Sequence, residues 1–68
     1  MARGTVKWFN GKKGFGFIVD PQVTADIFVH YSEIKVQGYR VLYEGDQVEY
    51  ELEQSDRGAK ALNVTKIG

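Results

Sequence analysis

The stretch KKGFGF, residues 12–17, sets two phenylalanines two positions apart behind a pair of lysines. In an extended chain side chains alternate between faces, so Phe15 and Phe17 point the same way. Gly14 to Val19 reads as one strand, with Gly16 and Ile18 on one face and Phe15, Phe17 and Val19 on the other. The next apolar run, Ile27 to His30, repeats the division, with Ile27 and Val29 set against Phe28 and His30. The fold turns on which of these faces is the core. Period 2 fixes the opposition but not which side is wet. Ile18, Ile27, Val29, Val48, Leu52 and Val64 supply enough branched aliphatic volume to fill a small interior. His30 shares its face with Phe28, and histidine is a poor core residue. On this reading the aliphatic set lies inside, and Phe15, Phe17, Phe28 and His30 form an external platform. The competing reading makes the aromatics the core and turns the aliphatics toward a partner.

The rest of the chain carries period-2 patterns and turn signals rather than helical periodicity. A first strand is expected over about Gly4 to Asn10, closed by the turn signal of NGKKG. DPQVTAD separates the second and third strands. After an irregular stretch, a fourth strand is expected over Gln47 to Glu53, with Val48, Tyr50 and Leu52 inward and Gln47, Glu49, Glu51 and Glu53 outward. QSDRGAK is a polar loop before a fifth strand from about Ala61 to Ile67. Five short strands must protect their edges, and closure into a small barrel does so. The expected fold is therefore all-β.

At 68 residues the chain is read as a single domain, residues 1–68. A domain of this size buries only about 60% of the surface its unfolded chain exposes. It has no cysteine, so neither a disulfide nor a cysteine-based metal site is available to it. No apolar signal region follows Met1 and no long apolar run occurs, so secretion and membrane spanning are not expected. Asn63-Val64-Thr65 matches a glycosylation sequon, read as chance in that context. The net charge is 0, yet its distribution is uneven. Met1 to Val19 holds Arg3, Lys7, Lys12 and Lys13 and no acid, whereas Glu44 to Asp56 holds six acids and no base. Such a dipolar surface steers a polyanion to one side, although solvated strand faces would account for the same runs.

An exposed aromatic patch flanked by lysines suits single-stranded nucleic acid: unstacked bases pack on flat rings while cations meet phosphates. Trp8, Tyr31 and Tyr39 are candidates to extend the platform. KGFGFI (Lys13 to Ile18) and IFVHYS (Ile27 to Ser32) resemble the two ribonucleoprotein motifs, and GTVKWFN and NVTKI complete the likeness. Over essentially its whole length the chain resembles the bacterial cold-shock protein family. The resemblance implies a five-stranded antiparallel OB-fold barrel that binds single-stranded RNA and DNA with low sequence specificity. It also implies an RNA chaperone that keeps transcripts unstructured in the cytoplasm. It carries nucleic-acid-binding positions onto Lys7, Trp8, Lys13, Phe15, Phe17, Phe28, His30, Tyr31 and Tyr39, with Phe9, Asn10 and Arg57 at the margin. Regular alternation would put Trp8 beside Val6 in the core, so its place on the platform requires a bulge or strong twist in the first strand.

The chain departs from the family pattern in three places. RGAKALNV stands where RGPQAANV is usual, which removes a proline and adds Lys60 as a further candidate cation. The DPQVTAD loop lacks the usual glycines, and Glu33 replaces a small residue. Catalysis is not expected. The lone His30 has no nucleophile or carboxylate pair in the pattern, and GKKGFG lacks the GK[ST] of a phosphate-cradling loop. No metal, no cofactor and no membrane partner are expected, and the protein is read as a monomer. A protein-interaction barrel is the remaining rival, since exposed Phe and Tyr also anchor protein partners.

Overall fold

The computed structural model describes residues 1–35 and 41–67, so Tyr39 lies outside the described residues. Its strands are β1 (Ala2–Asn10), β2 (Phe15–Val19), β3 (Ile27–His30), β4 (Gln47–Ser55) and β5 (Gly58–Lys66), with a 3-10 turn at Tyr31–Glu33 after β3. They close into a barrel in the order β1-β2-β3-β5-β4, and β4 pairs back onto β1. Four of the pairings are antiparallel. The expected all-antiparallel sheet needs one correction: β3 runs parallel to β5, and the parallel contact continues as a bridge from Ile34 to Val64. The long connection between β3 and β4 lets the last strand enter the gap beside β3 in that direction, as a short hairpin could not.

The interior is the aliphatic set. Val6, Ile18, Ile27, Val29, Ile34, Leu42, Val48, Tyr50, Ala61 and Val64 are all buried. Leu52 is the exception to the expected core, being 37% exposed. From Glu51 onward every residue of β4 is exposed, whereas its partner β5 stays on the barrel there: Ala61, opposite Leu52, is buried, and Lys60 pairs with Phe28 of β3. The pairing register shifts where this exposure begins, between Glu49 and Glu51. Asn63 sits opposite that shift with a φ of 51°, a left-handed conformation that asparagine tolerates better than most residues.

A second irregularity lies in β1. Val6 pairs with Ile18, but Trp8 pairs with Phe17, so Lys7 is an extra residue on that strand. Val6 is buried, and both Lys7 and Trp8 are exposed. The bulge thus resolves the conflict over Trp8 by turning it out of the Val6 face.

At one end of the barrel Asp20 and Tyr50 close the core together. The Tyr50 hydroxyl donates to Asp20 Oδ2 at 2.5 Å, and the Gln22 N–H donates to Oδ1 at 2.8 Å. Both side chains are buried, and these bonds satisfy them. The Tyr50 hydroxyl, helped by the Gln22 N–H, holds the Asp20 carboxyl below its ordinary value against the opposing effect of burial. Burial pushes the Tyr50 hydroxyl up, and the bond to Asp20 and its charge add to that rise.

Candidate nucleic-acid interface

Antiparallel pairing of β2 with β3 places Phe15 opposite His30 and Phe17 opposite Phe28. These four side chains share the face turned away from the aliphatic interior, and all are half-buried. Trp8, delivered by the bulge, lies 5.7 Å from the Phe15 ring and 5.3 Å from the Phe17 ring. Phe28 lies 5.8 Å from both Phe15 and Phe17 and 6.5 Å from His30, and His30 is 4.6 Å from Tyr31. The result is one continuous field of six rings. Edge-on contacts at Trp8 and between Phe17 and Phe28 hold the rings against one another and leave ring surface open to solvent.

Glycine makes this packing possible at two points. A Cβ at Gly16 would collide with the Trp8 carbonyl oxygen and come within 2.7 Å of the Phe9 Cα. At Gly14, whose φ is 76°, a Cβ would meet the Tyr31 ring at 2.6 Å. Tyr31 therefore lies over a backbone with no side chain, tied to it by the Tyr31 N–H donating to the Gly14 carbonyl at 2.8 Å.

His30 is oriented by the 3-10 turn that follows it. Its Nδ1 accepts the Ser32 N–H and lies 2.9 Å from the Ser32 hydroxyl. That contact is a cap on the turn: the same nitrogen is engaged by the backbone, and among the described residues no carboxylate is hydrogen-bonded to the ring.

The remaining candidates fall into three groups. Lys7 lies beside the platform and is ion-paired to Asp26 at 3.0 Å, both side chains being about half exposed. Lys12 and Lys13 stand on the β1–β2 turn. There Asn10 Oδ1 accepts the N–H of both at 3.0 Å, so Asn10 shapes the turn that carries the lysines. Arg57 and Lys60 belong to the β4–β5 hairpin, and Lys60 pairs with Phe28 across the parallel contact, which places it on the platform's side. Phe9 is not brought to the ring field; it pairs with Gly16 and packs against the core.

Two functional supports escaped the sequence reading. Asp26 holds Lys7 at the platform edge, and no local pattern linked residues so far apart. Glu33, a departure from the family pattern, accepts the Asn63 N–H at 3.4 Å, while Glu51 accepts from the Asn63 side-chain amide at 2.5 Å. The two carboxylates steady the left-handed residue where β5 bends.

Residues 2–67 match the model of the 'Cold-shock' DNA-binding domain. The chain is 51% identical over 67 residues to the major cold shock protein of Micrococcus luteus, covering 98% of this chain and 100% of that one. It is 52% identical to a probable cold shock protein A of Mycolicibacterium smegmatis, with the same coverage. It is 52% identical to the cold shock protein ScoF of Streptomyces coelicolor, over 96% of this chain and 97% of that one. Among solved structures, Drosophila Unr CSD456 superposes with a TM-score of 0.82 at 22% identity, covering 98% of this chain and 26% of that one, which is a likeness of fold.

Proposed function

Because the chain belongs to the cold-shock DNA-binding domain family, we propose that its ring field binds single-stranded RNA and DNA by stacking successive bases. Lys7, Lys12, Lys13, Arg57 and Lys60 meet the phosphates, and discrimination among bases is weak. The observation that carries this reading is the six-ring field, half exposed on the face opposite a core of aliphatic side chains and Tyr50. Every base has a π-face, so stacking tolerates sequence, and a duplex offers no free faces to stack. Binding that captures unpaired bases pulls RNA hairpins open, which is the action of an RNA chaperone, exercised here by a cytoplasmic monomer of one domain. Lys7 is available for this role because an exposed pair such as Lys7–Asp26 contributes only about 0–1 kcal/mol and yields readily to a phosphate.

Trp8 fluorescence reports binding directly, since it is the only tryptophan and lies in the field. Titration with a pyrimidine-rich single strand is expected to quench it. Phe17→Ala is expected to lose about 1–3 kcal/mol of affinity, the usual share of one stacked base. Unchanged affinity in a Phe17→Ala protein of lowered stability would make that ring structural and refute the stacking assignment.

A further inference from the structure

A groove of about 500 Å³ opens at the edge of the ring field, between the β2–β3 loop and the β4–β5 hairpin. Phe17 and Phe28 belong to both, so a strand lying on the rings runs into the groove without leaving the surface. Ala25 and Ala59 give it apolar walls, and Arg57 and Lys60 line its hairpin side. Among the described residues neither cation has an ion-pair partner, whereas Arg3, Lys7 and Lys66 each do. Two carboxylates also line the groove. Asp26 is committed to Lys7, but Glu53, which sits opposite Lys60 across the hairpin, has no bond to another side chain among the described residues.

This combination is poorly suited to a simple anion, which Glu53 would repel. It suits a ligand that is anionic at one point and presents an N–H at another. A carboxylate only accepts hydrogen bonds, so it favours an exocyclic amino group over the ring N3–H of thymine or uracil, which is flanked by two carbonyl oxygens that the carboxylate repels. Cytosine, adenine and guanine carry such a group, and thymine and uracil do not. We propose that the groove holds one nucleotide beyond the ring field, with Lys60 and Arg57 on its phosphate and Glu53 receiving the amino group of its base. The assignment rests on the single-strand reading above. It gives a low-specificity platform one selective position at its end, built from residues of this chain's own hairpin.

The test uses Trp8 fluorescence with three nonamers: oligothymidylate alone, and the same with cytosine at its 5′ or its 3′ end. For the wild type, cytosine at one end is expected to tighten binding several-fold over oligothymidylate. Glu53→Val, which leaves no acceptor, is expected to abolish that advantage. Lys60→Gln is expected to weaken all three nonamers by a similar factor and to flatten the slope of log affinity against log salt by about 0.7, one single-strand phosphate contact. Both side chains are exposed on the hairpin, and matching thermal midpoints for the two variants establish that they fold. Equal wild-type affinity for all three nonamers, a cytosine advantage that survives Glu53→Val, or an unchanged slope in Lys60→Gln overturns the groove assignment. Phe17→Ala separates the two ideas. If it weakens oligothymidylate while the groove variants are silent, only the groove is refuted; if it too is silent, the stacking reading has failed.

Discussion

Asp20 and Tyr50 make the stability of the barrel depend on pH in two windows. Asp20 is held below the ordinary carboxylate value by the Tyr50 hydroxyl and then the Gln22 N–H. Just below pH ~4 the unfolded chain therefore binds more protons than the folded one, and stability falls as pH drops through that window. Tyr50 is shifted the other way, by burial and by Asp20. Above pH ~10 the unfolded chain loses the tyrosine proton first, so stability falls again as pH rises. Tyr50→Phe is expected to lower the thermal midpoint at neutral pH, to remove the alkaline limb and to shrink the acid one. Thermal melts across pH check all three. Gly16 is constrained by space rather than charge. Its Cα faces the Trp8 carbonyl so closely that Gly16→Ala must shift backbone, at a cost of about 1–3 kcal/mol. Denaturant unfolding measures that loss, and a change near zero would mean that β1 yields freely at its bulge.

The irregularities of β1 and β5 shape the elements as much as their pairing does. In β5 the left-handed Asn63 lies where the strand bends against β4. Asn63→Ala is expected to cost about 1–2 kcal/mol, the penalty of that conformation for a residue that lacks asparagine's short polar side chain. Asn63→Gly restores the backbone freedom and keeps the N–H that Glu33 accepts, so it is expected to cost less. An equal loss in the two proteins would assign the effect to the side-chain bond with Glu51 instead. Beyond this bend β4 is the exposed strand of the hairpin, while β5 stays against the barrel. Leu52→Gln is accordingly expected to cost less than about 1 kcal/mol despite the apolar residue removed. The same unfolding series checks it, with the buried Val48→Ala as the contrasting, larger loss.

Across the whole molecule, a net charge of 0 conceals a division of labour. The ring field is built on β1, β2, β3 and the 3-10 turn with Lys7, Lys12 and Lys13 around it, while the run of acids lies on β4 and the turns on either side of it. On β4, Glu49 binds Arg3 and Glu51 binds Asn63. With about 2–4 phosphates engaged, log affinity for a single strand is expected to fall with log salt at a slope of about −1 to −3. A flat response would favour a protein partner on the same rings. Duplex of the same sequence is expected to bind far more weakly, which a competition titration reads directly.

Alternation along β2 and β3 was enough to separate the two faces, because side-chain period is a local property that a few residues record. The histidine beside Phe28 then indicated which face is wet, and the buried aliphatic set bears that out. The bounds of β3 were legible for the same reason, since apolar alternation begins and ends with it. The polar residues Gly58 to Lys60 read as loop, yet they pair with Glu53 to Ser55 once the hairpin forms. The parallel seam of β3 with β5, the exposure of Leu52 at the far end of β4, the bond of Tyr50 to Asp20 and that of Glu33 to Asn63 were out of reach. Each joins segments about thirty residues apart, or follows from where a closing barrel ends. Local pattern fixes which way a side chain points, whereas register, closure and partners are settled only when distant strands compete for one small interior.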